Sequence, residues 1–171
     1  MTIKRPVLIA ALAALVAWVP LSGFAQELST TTIEPASPRQ KHHEIHGPSH
    51  LSILFAGTSI NSSTNSGITV GIDYEYRISR FLGLGAVVER AAGSIDATTV
   101  FAVADLHFDK GWVVQIGLGS EYIEETAFFA ARIGLLYEFE FNHGYTLAPQ
   151  VHFDASAENS IVYGLSFGRS F

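Results

Sequence analysis

From residue 50 onward, apolar and polar side chains alternate in short runs, and glycine, asparagine, serine and aspartate punctuate them. In the second run Ile68, Val70, Ile72, Tyr74 and Tyr76 share one face, and Thr69, Gly71, Asp73, Glu75 and Arg77 share the other. The fourth sets Val100, Ala102, Ala104, Leu106 and Phe108 against Asp105 and His107. The fifth sets Trp112, Val114, Ile116, Leu118 and Tyr122 against Gln115, Gly117, Gly119 and Glu121. The sixth sets Phe129, Ala131, Ile133, Leu135, Tyr137 and Phe139 against Arg132, Gly134, Glu138 and Glu140. A period of two marks β-strands whose two faces meet different surroundings. Eight strands are predicted, over 50–59, 67–77, 82–91, 98–108, 112–123, 127–140, 145–154 and 161–171. Most have the length that a tilted strand needs to cross a bilayer. Connectors such as Asp109-Lys110-Gly111 and Asn142-His143-Gly144 are hairpin signals, so neighbours in sequence become neighbours in the sheet. Two places fit less well. Residues 50–56 alternate poorly, and Pro149 removes a ladder hydrogen bond in mid-strand, which predicts a bulge or an end of regular pairing there.

The charged residues consistently share a face, and which face meets the core decides the class. A soluble barrel would turn its apolar residues inward. Here Tyr74, Tyr76, Phe108, Trp112, Tyr137, Phe139, Tyr145 and Phe171 all fall at one end if the strands run up and down. A soluble core has no reason to sort aromatics by height, whereas an apolar belt in lipid is edged by an aromatic girdle. The expected fold is an all-β, eight-stranded antiparallel up-and-down transmembrane β-barrel, spanning 49–171 and lodged in outer-membrane lipid.

The start of the chain agrees. Lys4 and Arg5 precede an apolar run over 7–19, then Pro20 and the small-residue site Gly23-Phe24-Ala25, which reads as a secretory signal peptide over 1–25. The apolar run is shorter than the roughly 20 residues a spanning helix requires. Residues 26–48 are polar, proline-bearing and without period, so a flexible periplasmic arm is expected. There is no cysteine, hence no disulfide framework and no lipid-modified cysteine anchor. The whole chain carries 10 Lys+Arg against 16 Asp+Glu, and the signal segment contains two of those bases and no acid. Such an acidic chain is poorly suited to nucleic acid, whose binding rests on neutralising phosphates.

The last strand ends on Phe171, with Phe167, Leu165 and Tyr163 at alternate earlier positions and Gly or Ser between them. With this terminus and architecture the chain resembles small bacterial outer-membrane barrels of the OmpA-like transmembrane-domain type, over 50–171. The resemblance implies that Tyr163, Leu165, Phe167 and Phe171 are the signal read by the barrel assembly machinery. Arg169 departs from that pattern, and near the rim its long side chain can snorkel to the headgroups. The resemblance also implies periplasmic termini and outward connectors near 61–66, 92–97, 124–126 and 155–160. All are short, which argues against a receptor surface. The oligomeric state stays open, with a monomer favoured.

The inward face carries Asp73, Glu75, Arg77, Glu89, Asp105, His107, Gln115, Glu121, Arg132, Glu138, Glu140, Gln150, His152 and Asp154, with glycines making room. An eight-stranded barrel is just wide enough for such side chains to fill it, so an ionic plug centred on Arg132 is expected. A narrow ion or solute path is the alternative. A lipid-modifying enzyme is a further reading, resting on His152-Phe153-Asp154-Ala155-Ser156 with Glu121 and Glu89 at similar height. A catalytic His would want Ser two positions later on its own face. Asp154 stands there and Ser156 lies at the loop, so no catalytic residue is assigned and no cofactor is required. The arm holds the remaining candidate chemistry. His42, His43, His46 and His50, with Glu44 among them, offer weak zinc or copper ligation on compositional grounds.

Overall fold

The computed structural model describes residues 47–61 and 65–171. The segment read as a signal peptide and most of the segment read as an arm lie outside the described residues. Nine strand segments run in order: β1 (Ser49–Ile60), β2 (Ser66–Arg77), β3 (Leu82–Gly93), β4 (Ala97–His107), β5 (Trp112–Ile123), β6 (Thr126–Tyr137), β7 (Phe139–Glu140), β8 (Tyr145–Ala155) and β9 (Ser160–Ser170). Each of β2 to β6 pairs antiparallel with its predecessor, β8 pairs with β6, β7 and β9, and β9 returns to β1. The sheet is closed.

β6 and β7 are one strand of the wall. Leu136 pairs with Gln150 and Phe139 with Leu147, so the register continues with no residue inserted. The ladder lapses opposite Pro149, whose nitrogen has no hydrogen to donate to Tyr137. Of the two outcomes expected at Pro149, the structure has the lapse and no bulge. Pro149 keeps its place opposite Leu165 on the other side. Successive residues of an antiparallel strand address opposite neighbours. Glu138 accordingly turns its N–H away from β8 and donates it to the carbonyl of Gly111, at 2.7 Å.

The registers also set the bore. Following partners once round the wall, from His50 through Glu75, Gly85, Val103, Gly117, Arg132, Asp154 and Ser160, returns to β1 at Ile60 instead of His50. That stagger over eight strands corresponds to a tilt of about 40° from the barrel axis, given the usual rise and strand spacing. A barrel of this kind has a lumen that side chains fill.

The alternation read in the sequence is the alternation of the wall. Leu51, Ile53, Phe55, Ile72, Ile116, Ile133, Leu165 and Phe167 are exposed on the outside, while Glu75, Glu89, Asp105, Glu121, Arg132 and Asp154 are buried inside. This inverts the arrangement of a soluble protein. β1 alternates in burial as regularly as its neighbours. Its polarity misleads because Leu54 points into the lumen, where it is buried. Val87, Phe101, Val103 and Ala130 likewise form a small apolar cluster inside the barrel.

Both chain ends of the barrel lie at one rim, hereafter the terminal end. There Ser49 and Phe171 exchange two backbone hydrogen bonds, at 3.2 and 2.8 Å. The aromatics gather at the same rim. Tyr137 makes edge contacts with Trp112 and Phe139 at 4.9 and 4.7 Å, and Tyr145 stacks on Phe167 at 5.7 Å. Arg169 lies on the outside with its guanidinium 5.2 Å from the Tyr145 ring centre.

Two turns at this end share one design. In Asp109-Lys110-Gly111 and Asn142-His143-Gly144 the second and third residues all have positive φ: Lys110 70°, Gly111 88°, His143 69° and Gly144 75°. A Cβ on Gly111 would also fall 2.5 Å from the carbonyl oxygen of Glu138. Gly111→Ala should therefore lower stability by at least the roughly 1–2 kcal/mol of a left-handed backbone, whereas Lys110→Gly should cost nothing. Urea unfolding in detergent micelles, followed by tryptophan fluorescence, measures both. An unshifted midpoint for Gly111→Ala would contradict the described turn.

Candidate functional site: the ionic lumen

Arg132 occupies the middle of the bore. It stands on β6 opposite Gly117 and Asp154, and the glycine on one side leaves it room. Its Nε and Nη2 donate to the two oxygens of Asp154 at 2.6 and 2.7 Å. Its Nη1 and Nη2 donate to the two oxygens of Glu89 at 2.5 and 2.7 Å. One guanidinium is thus forked between two carboxylates on β3 and β8, with its carbon 4.4 Å from the ring centre of Phe101. Arg132 is 2% exposed and Phe101 1%, so the guanidinium is buried. A planar group with five donors suits such a double clamp, and lysine does not.

A second cluster lies towards the terminal end. Gln115, 1% exposed, donates from one nitrogen to Asp73 Oδ2 at 3.1 Å and to Asp105 Oδ1 at 3.0 Å. Glu75 and His107 share a hydrogen bond of 2.6 Å, and Arg77 reaches Glu138 at 3.0 Å and Glu75 at 3.5 Å. His50, read as the start of the first strand and as a candidate ligand beside the arm's histidines, is buried in β1 and shares a hydrogen bond of 2.8 Å with Thr146. His42, His43 and His46 lie outside the described residues. Glu140, expected in the lumen, is exposed at the rim beyond the lapse at Glu138. It shares the inward parity of Glu138 but stands past the end of the bore.

The far end opens into a vestibule of about 470 Å³. Threonines 58, 69, 99 and 126 line it together with Glu89, Glu121, Glu124, Asp154 and Glu158. Ser156 donates to Glu121 at 2.5 Å. His152 is buried one strand step from Arg132, against Gly134, and neither ring nitrogen has a hydrogen-bond partner. The Ser–His pairing that lipid-modifying catalysis would need is not assembled among these residues.

Sequence reasoning missed Leu54, Val87, Phe101, Val103, Val113 and Leu136 as lining of the lumen. Their parity was readable. What hid them was the assumption that inward means polar, which an eight-stranded barrel relaxes because its interior is packed like a core.

No protein-family model matches the chain, and no curated protein matches it in sequence. Among solved structures it is similar to Neisserial surface protein A (NspA), with a TM-score of 0.53 and 13% identity over 72% of this chain and 96% of that one. It is similar also to Ail, the attachment invasion locus protein of Yersinia pestis, with a TM-score of 0.54 and 14% identity over 74% and 99% of the two chains. A de novo designed transmembrane β-barrel aligns with a TM-score of 0.50 and 14% identity over 71% and 96%. The fold is that of an eight-stranded transmembrane β-barrel.

Breaking a buried ion cluster on one side strands the charges left behind. Arg132→Met should destabilise the barrel by about 3–5 kcal/mol, and adding Glu89→Gln and Asp154→Asn should restore most of that loss. Urea midpoints of the single and triple variants decide it; equal losses would mean that charge stranding is not what the arginine prevents.

Proposed function

We propose that the protein is an integral outer-membrane barrel of a Gram-negative envelope, structural in role, with its lumen closed by side chains. The observation that carries this reading is the double clamp on Arg132. It joins β3, β6 and β8 across the bore and sits on the apolar cluster around Phe101. A ligand-free plug of this kind ties opposite walls together and needs no substrate. The likeness to NspA and Ail supports the outer membrane as the location, and the exposed apolar belt with its aromatic rim suits lipid. Export would use the N-terminal segment as a signal peptide. Insertion would use Tyr163, Leu165, Phe167 and Phe171, all on the outer face of β9 or just beyond it, as the mark read by the assembly machinery. The barrel is taken to be a monomer and non-catalytic.

Ail is named for attachment and invasion. That role is not carried over, because β3 and β4 are joined by Ser94–Asp96 and β5 and β6 by two residues, which leaves little to display.

The second reading is a narrow ion path, favoured by the open acidic vestibule on one side of Arg132 and a cavity of about 20 Å³ on the other. Expression in a Gram-negative host should yield a band in the outer-membrane fraction whose gel mobility shifts on boiling. The purified barrel should leave planar bilayers electrically silent, and Arg132→Met should weaken the fold without opening a current. Conductance that changes on neutralising Glu121 or Arg132 would replace the structural reading with the pore.

A further inference from the structure

We propose that the terminal end of the lumen is a binding site for a divalent transition-metal ion, ligated by His50, Glu75 and Glu138. One ligating atom from each of these residues lies within 4.8 Å of the other two. Small side-chain adjustments bring such a triad onto an ion with bonds of about 2.0–2.2 Å. The three come from β1, β2 and the lapse between β6 and β7, so the site exists only in the closed barrel.

Charge points the same way. Asp73, Glu75, Asp105 and Glu138 crowd this end, and Arg77 is the one guanidinium paired with them among the described residues. Buried carboxylates short of positive charge are costly, and a divalent ion supplies it. A separate observation concerns space. The cavity of about 20 Å³ is lined by His50, Glu75, Glu138, Asp73, Asp105 and Gln115, and it has room for a single water or ion. Both Gln115 and Asp73 line it, and Gln115 Oε1 and Asp73 Oδ1 are buried with no hydrogen-bond partner.

The ligands are also held in place. Thr146 Oγ1 fixes the His50 ring at 2.8 Å, His107 orients Glu75 at 2.6 Å, and the Glu138 backbone is anchored to Gly111 at 2.7 Å. Orienting partners of this kind are what metal sites place behind their ligands. Side chains on Gly83 and Gly168 would run into Glu75 and His50, so the absence of a Cβ there makes the space. One imidazole nitrogen with two carboxylates selects the zinc, cobalt and nickel class over calcium or magnesium, which take oxygen sets. Arg77, about a third exposed at the rim, competes for Glu138 and can swing into the headgroup layer when an ion arrives. None of this depends on whether the lumen conducts.

The test uses the untagged chain, isolated in detergent and stripped with a chelator, and titrates it with Co²⁺ followed by visible absorption, then Zn²⁺ by displacement. One Co²⁺ per chain is expected. Glu138→Gln should weaken it at least about tenfold, the lower end of what losing even an outer partner costs a metal site. Arg77→Gln should tighten it severalfold, a gain that misfolding cannot produce, while boiling-dependent mobility certifies the fold of each variant. No saturable uptake by the folded chain would overturn the proposal. So would uptake that survives Glu75→Gln with Glu138→Gln and vanishes when His42, His43 and His46 become alanine, because the arm would then be the binder.

Discussion

Everything in this barrel follows from the need to pair every backbone N–H and C=O without help from water. In lipid an open sheet edge would strand a row of such groups at several kcal/mol each. The seam between β1 and β9 removes that edge, from His50 opposite Ser170 to Ile60 opposite Ser160, and the Ser49–Phe171 pair continues it to the rim. Even the proline is accommodated under this rule. Pro149 can donate nothing, so the wall lapses for one step there, and Glu138 finds its partner at Gly111 on the neighbouring turn.

Closure with this stagger leaves a narrow bore, and an apolar exterior sends most of the charges within the wall into it. The interior then has to behave as a core. In the middle it does so with one arginine divided between Glu89 and Asp154 over Phe101. Such a cluster is weak evidence for net stability, since desolvation offsets attraction, but it ties distant strands together in a single arrangement. The terminal end is less evenly balanced: acids outnumber bases, and Gln115 has to serve two aspartates with one nitrogen. An ion at His50, Glu75 and Glu138 would complete what the protein's own side chains leave unfinished.

The two rims differ in what they can do. The terminal rim carries the aromatic ring, the chain ends and the tight Asp-Lys-Gly and Asn-His-Gly turns, all suited to anchoring in an interface. The far rim carries the wider, acidic vestibule, with Ser156 bonded to Glu121 at its wall.

The sequence by itself determined the strands, their faces, the tight turns and the height of the aromatics. These are local matters: a period of two declares which side a residue takes, and Gly or Asn beside a polar residue declares a left-handed turn. It also identified Arg132 as the central cation, since no other Lys or Arg falls on the inward face in mid-strand. Tertiary structure alone decided who meets whom across the bore. Arg132 and Glu89 are separated by 43 residues and Glu75 and His107 by 32, and parity says nothing of level. Level is set by the stagger at which the wall closes, a property of all the registers together. The same closure set His50 beside Thr146 inside the wall, left Glu140 beyond the rim, and packed the inward-facing Leu54 and Phe101 among charges, because a bore this narrow fills with whatever side chains face it, polar or not.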